Sequence, residues 1–71
     1  MSLSKEFRFF VYLLESYASY KGVTAADALK TLDEKGLTDL IFGMYELYHA
    51  ESIENAFADI DSYIERGVPA W

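Results

Sequence analysis

Apolar side chains recur along this chain at steps of three and four, the period of a helical face, and they do so in four successive segments. In the first, residues 3–20, the stripe is Leu3, Phe7, Phe10, Val11, Leu14 and Ala18. Ser4 or Ser2 stands where an N-cap belongs, and Lys21-Gly22 ends the segment with the residue that takes the left-handed conformation most easily. This helix is not cleanly amphipathic. Phe9, Tyr12, Leu13 and Tyr20 fall on its other sides and make it apolar almost all round, as in a helix that is central or lies at an interface.

The second segment, residues 25–35, starts after Thr24, with Asp27 three residues on, a variant of the capping box. Its stripe, Ala25, Ala28, Leu29 and Leu32, is short and small-faced, and Lys35-Gly36 stops it. The third, residues 38–49, has Thr38 as its candidate cap. Leu37, Leu40, Ile41, Met44, Leu47 and Tyr48 lie on one face, with a second stripe of Phe42, Tyr45 and His49 to the side. In the fourth, residues 53–66, Ser52 is the cap, and Ile53, Ala56, Phe57, Ile60 and Ile64 form the inner stripe. Glu54, Asp61, Glu65 and Arg66 face water there, and Gly67-Val68-Pro69 begins a tail over 67–71.

Period-two alternation never persists, and neither Asn-Gly nor Asp-Gly occurs to turn a hairpin. The expectation is all-α: one domain over 1–71, a compact bundle of four helices (3–20, 25–35, 38–49 and 53–66) in an orthogonal or up-and-down arrangement. Residues 1–3 read as a remnant of expression and carry little weight.

Seventy-one residues without cysteine have neither a disulfide framework nor a thiolate zinc site to staple them, so efficient helix packing or oligomerisation must serve. Twelve acidic against 6 basic side chains leave a net charge of −6, which makes nucleic acid an improbable partner. The apolar run Phe9 to Leu14 follows Lys5 and Arg8, yet is too short and too charged at its flanks for a signal peptide. No stretch approaches the roughly 20 apolar residues that cross a bilayer. The expectation is a soluble, cytoplasmic protein with no membrane partner.

Candidate chemistry is sparse. His49 and Ser52 are the only obvious nucleophile and base, with no evident oxyanion site, so no catalytic residue is assigned. Glu46 and His49 have the Glu-x-x-His spacing of carboxylate-bridged di-iron bundles, but such sites need two of these pairs and two further glutamates, so no metal or other cofactor is assigned. The turn Glu34-Lys35-Gly36-Leu37 between the second and third segments fits a helix-turn-helix. A recognition helix there would present Asp39 and Glu46 and no Lys or Arg, which leaves a transcription-linked module with weak or complex-dependent DNA contact as the alternative reading.

Glu46, Glu51, Glu54, Asp59, Asp61 and Glu65 gather in the last third as a solvated acidic face, which also suits a basic partner. The aromatic share of 17% says more. A small core accepts Phe7, Phe10 and Phe57, but Tyr12, Tyr17, Tyr20, Tyr45, Tyr48 and Tyr63 with Phe9, Phe42 and Trp71 exceed what four short inner stripes enclose. The candidate protein interface is Phe9, Tyr12, Leu13, Phe42, Tyr45, His49 and Trp71, serving a homodimer through the first helix or a different protein partner.

Three runs carry a resemblance: Glu6-Phe7-Arg8-Phe9-Phe10-Val11-Tyr12, Tyr45-Glu46-Leu47-Tyr48-His49 and Ala58-Asp59-Ile60-Asp61-Ser62-Tyr63-Ile64. Across Lys5 to Ile64 the chain resembles the short bacterial proteins grouped as domain of unknown function 3791. It departs from their pattern at Tyr48, where an aliphatic residue is expected, and at Ser52, where glycine is. The resemblance implies a stand-alone helical protein and singles out His49, Asp59 and Tyr63. It also implies a neighbouring gene for a protein similar to ADP-ribosyltransferases, which this chain would restrain, as antitoxins do, or assist. His49 as a helix cap and Asp59 as a bond to a neighbouring helix end are the purely structural roles open to those positions.

Overall fold

The computed structural model describes residues 3–70, and the described residues form five helices with no strand. The first, α1 (Lys5–Lys21), begins at Ser4, whose hydroxyl accepts the Phe7 N–H at 3.1 Å. It ends at Gly22, whose φ of 74° is the left-handed turn that a side chain would strain, and Val23 N–H closes it on the Ala18 carbonyl at 2.9 Å. Helix α2 (Ala25–Glu34) has the expected capping box in both directions: Asp27 N–H to Thr24 Oγ1 at 3.1 Å, and Thr24 N–H to Asp27 Oδ2 at 3.4 Å. Helix α5 (Ile53–Arg66) runs to Gly67.

The third predicted segment is broken. It forms α3 (Thr38–Phe42) and α4 (Tyr45–Ala50), separated by Gly43 and Met44. Met44 N–H reaches back only three residues, to the Ile41 carbonyl at 3.1 Å, a tightening that turns the axis. Leu37 occupies the N-cap position of α3, and Thr38 lies inside the helix with its hydroxyl on the Asp33 carboxylate. Ser52 stands at the N-cap of α5 but makes no side-chain capping bond.

Helix α1 is the central element and packs against α2, α3 and α4, while α5 closes on α4. The radius of gyration, 11.4 Å, is close to the ~11 Å of a compact 71-residue globule, so the helices share one core. Leu13, Leu32, Ile41, Tyr48, Ala56 and Ile60 are its most enclosed side chains. Two aromatics expected among the surplus, Tyr17 and Tyr48, belong to this core.

The inward arc of α1 is Phe10, Leu13, Leu14 and Tyr17, at i, i+3, i+4 and i+7. Leu13, expected at an interface, is 1% exposed, because it sits in the middle of the arc that three other helices cover. By the same rotation Phe7 and Val11, expected inside, stand 42% and 37% exposed, and Leu3, expected on the same stripe, lies ahead of the helix and is 53% exposed. The break at Gly43 acts likewise on Leu40 and Leu47, which leave the shared face and are exposed. The acidic face also loses a member: Asp59 is buried on α5 and Asp61 is half-buried.

Candidate functional site

The aromatic side chains at the surface fall together where α1 meets α4. Phe9 and Tyr12 are one turn apart on α1, as are Tyr45 and His49 on α4. The turn at Gly43-Met44 carries Tyr45 and His49 onto Phe9. The Phe9 ring meets Tyr45 edge-on, with centroids 5.5 Å apart and planes at 81°, and meets His49 at 5.8 Å and 80°. His49 lies flat on Tyr45, at 4.9 Å and 23°, and Tyr12 leans on Phe9 at 6.2 Å. These are the tilted, edge-to-face and stacked geometries that the ring quadrupole favours, so the four rings brace one another. Phe9 and Tyr45 are half-buried, whereas Tyr12 and His49 are exposed and give the cluster its outer surface.

Four of the seven candidate interface residues are thereby brought together: Phe9, Tyr12, Tyr45 and His49. Phe42 is exposed but packs on Phe10 at 5.4 Å, about 100° around α1 from Phe9, and so lies outside the cluster. Leu13 is core, and Trp71 lies outside the described residues.

Two polar pairs, one buried and one part-buried, escape a reading based on apolar stripes. Tyr48 Oη donates to Asp59 Oδ2 at 3.1 Å, and the Ala70 N–H donates to Asp59 Oδ1 at 3.1 Å, so one carboxylate ties α4, α5 and the tail. Ser62 holds the same tail by donating to the Val68 carbonyl at 2.6 Å. On the other side of the core Tyr17 Oη donates to Asp61 Oδ1 at 2.5 Å, and Lys21 Nζ pairs with that oxygen at 3.2 Å. Burial first, and then the neighbouring carboxylate, pushes both tyrosine hydroxyls well above their ordinary range. For Tyr48 the signal available in the sequence was its place on an inner stripe, where a tyrosine must bring its hydroxyl to a partner; Tyr17 stood on no expected stripe and gave none.

Of the three family-motif positions, His49 belongs to the surface cluster. Asp59 and Tyr63 belong to the scaffold, Tyr63 half-buried against the core. Among the described residues no three His, Asp or Glu side chains converge as metal ligands, and the Glu46 of the Glu-x-x-His pair is exposed. A cleft of about 210 Å³ beside Tyr17 and Asp61 has walls of Val23, Ala28 and Ile64, and its main polar groups already satisfy one another.

The fold is thus that of a small all-α domain with a braced aromatic surface. The family described as "Protein of unknown function (DUF3791)" matches residues 8–66, and the chain belongs to it. No curated protein and no solved structure matches the chain.

Proposed function

We propose that this chain is a small, non-enzymatic bacterial protein that works in the cytoplasm by docking on another protein, and that the Phe9, Tyr12, Tyr45 and His49 cluster is the docking surface. The observation that carries the reading is the bracing of four rings at the surface of an otherwise closed core. A preorganised aromatic patch loses little side-chain entropy on binding, which is why such residues dominate the energy of interfaces.

The partner surface is basic. The chain carries a charge of −6, and the exposed Glu46 and Glu51 lie on and just after α4, the helix that supplies Tyr45 and His49. Opposite charge speeds encounter, and an Arg or Lys over a ring face adds a cation–π contact. The family resemblance supplies a candidate, an ADP-ribosyltransferase-like protein encoded nearby, which this chain would restrain in the manner of an antitoxin or assist. The alternative, a transcription-linked helix-turn-helix of α2 and the segment after it, would take its recognition helix from α3 and α4, which are five and six residues long and present Asp39 and Glu46 but no Lys or Arg.

Co-expression with that neighbouring protein tests the reading. The two should co-elute, more weakly as salt is raised, and Tyr45→Ala with His49→Ala should abolish co-elution while leaving the helical circular dichroism intact. A complex indifferent to both substitutions, or a salt-sensitive shift of duplex DNA in place of a complex, would overturn it.

A further inference from the structure

We propose that the outward face of α1 pairs, antiparallel, with the same face of a second copy of this chain. The face consists of Arg8, Val11, Tyr12 and Glu15, all exposed and spaced i, i+3, i+4 and i+7, so that they form one stripe on the side of α1 opposite its buried arc of Phe10, Leu13, Leu14 and Tyr17, with Tyr12 at its border toward α4. Its centre is apolar: Val11 is 37% exposed and Tyr12 57%. Its two ends carry opposite charge. Arg8 and Glu15 are separated by about 10.5 Å of helix rise, too far to pair with each other. Among the described residues the one salt bridge is between Lys21 and Asp61.

A two-fold axis passing between Val11 and Tyr12 uses every member of the stripe. It sets Arg8 of each copy against Glu15 of the other and Val11 against Tyr12, each pairing occurring twice, as a self-complementary interface requires. A parallel arrangement would place Arg8 on Arg8 and Glu15 on Glu15, so the charges select the antiparallel one. The same pattern selects a second copy over an unrelated partner. The chain as a whole is acidic and repels itself at random contacts, but this stripe holds one positive and one negative end and is complementary to its own inverse. A uniformly basic or acidic partner would satisfy one end and repel the other.

The pairing goes beyond the docking reading and does not depend on it. The two share a border at Tyr12, whose ring lies against Phe9 at 6.2 Å, so the two-fold would set two aromatic clusters side by side.

Sedimentation equilibrium across a concentration series tests the pairing. The wild-type chain should approach twice its 8.1 kDa mass. Arg8→Glu or Glu15→Arg alone, each placing like charges opposite twice over, should weaken dimerisation by about tenfold or more. Combining the two substitutions in one chain should restore it, and mixing the two single variants should give a heterodimer. A wild-type chain that stays monomeric throughout, single variants that dimerise like wild type, or a double variant that stays weak would each refute the pairing. Tyr45→Ala with His49→Ala should leave the dimer mass unchanged, which separates this interface from the docking surface.

Discussion

Tyr48 and Asp59, each 2% exposed, are joined by a hydrogen bond of 3.1 Å between the α4 tyrosine and the α5 carboxylate. A carboxylate so enclosed needs its donors, and here it has two, the second being the Ala70 N–H. Tyr48→Phe removes one of them and leaves the carboxylate short of a partner. The chain should lose about 1–3 kcal/mol, read as a lower urea midpoint at unchanged slope. A variant as stable as wild type would mean that water replaces the hydroxyl.

Alkaline pH should unfold the protein through the same kind of contact. The hydroxyls of Tyr17 and Tyr48 are held above the ordinary value of 10.0 by burial and by Asp61 and Asp59. The folded chain therefore keeps protons that the unfolded chain releases above that pH. Stability is fully present below pH 10.0 and falls as pH rises toward the folded-state values, by up to about 1.4 kcal/mol per pH unit for each tyrosine. Urea midpoints should hold from neutral pH to about pH 10 and decline above it, and the Tyr17→Phe, Tyr48→Phe pair should flatten the decline. A decline of equal slope in that double variant would place the effect elsewhere.

Adjacent positions on α1 should separate folding from docking. Leu13 is 1% exposed, and Leu13→Ala should cost about 2–5 kcal/mol by leaving a cavity among α1 and its neighbours. Tyr12 is 57% exposed, and at concentrations where the chain is monomeric Tyr12→Ala should change stability by no more than about 0.5 kcal/mol while removing the outer ring from the cluster. Thermal melts of the two variants settle the first half, and co-elution with the partner settles the second.

The junction between α1 and α2 depends on two local devices. Gly22 has a φ of 74°, and Gly22→Ala should cost about 1–2 kcal/mol, although a methyl group there would meet no neighbour within 4 Å. Thr24→Ala, which removes the acceptor for Asp27 N–H, should cost about 1 kcal/mol. Both should show as lower melting temperatures with near-native helical content at room temperature.

Local features of this protein were determined by its sequence alone. Ser4, Gly22, Thr24 with Asp27, and Gly67 each act on backbone groups within a few residues, so the chain passing through them turns or starts where the residues say. The helical period and the family membership followed from the same short-range pattern, and so did the reading of an aromatic surplus, which named Phe9, Tyr12 and Tyr45 but also Tyr17 and Tyr48, two members of the core. The tertiary structure decided which arc of an almost wholly apolar helix faces inward. That depends on where α2, α3 and α4 stand, and it buried Leu13 while leaving Phe7 and Val11 outside. It also decided the break at Gly43, which moves Tyr45 and His49 onto Phe9, and the burial of Asp59. A charged residue is enclosed only when donors distant in the chain converge on it, and no local pattern announces that Tyr48 and Ala70 will do so.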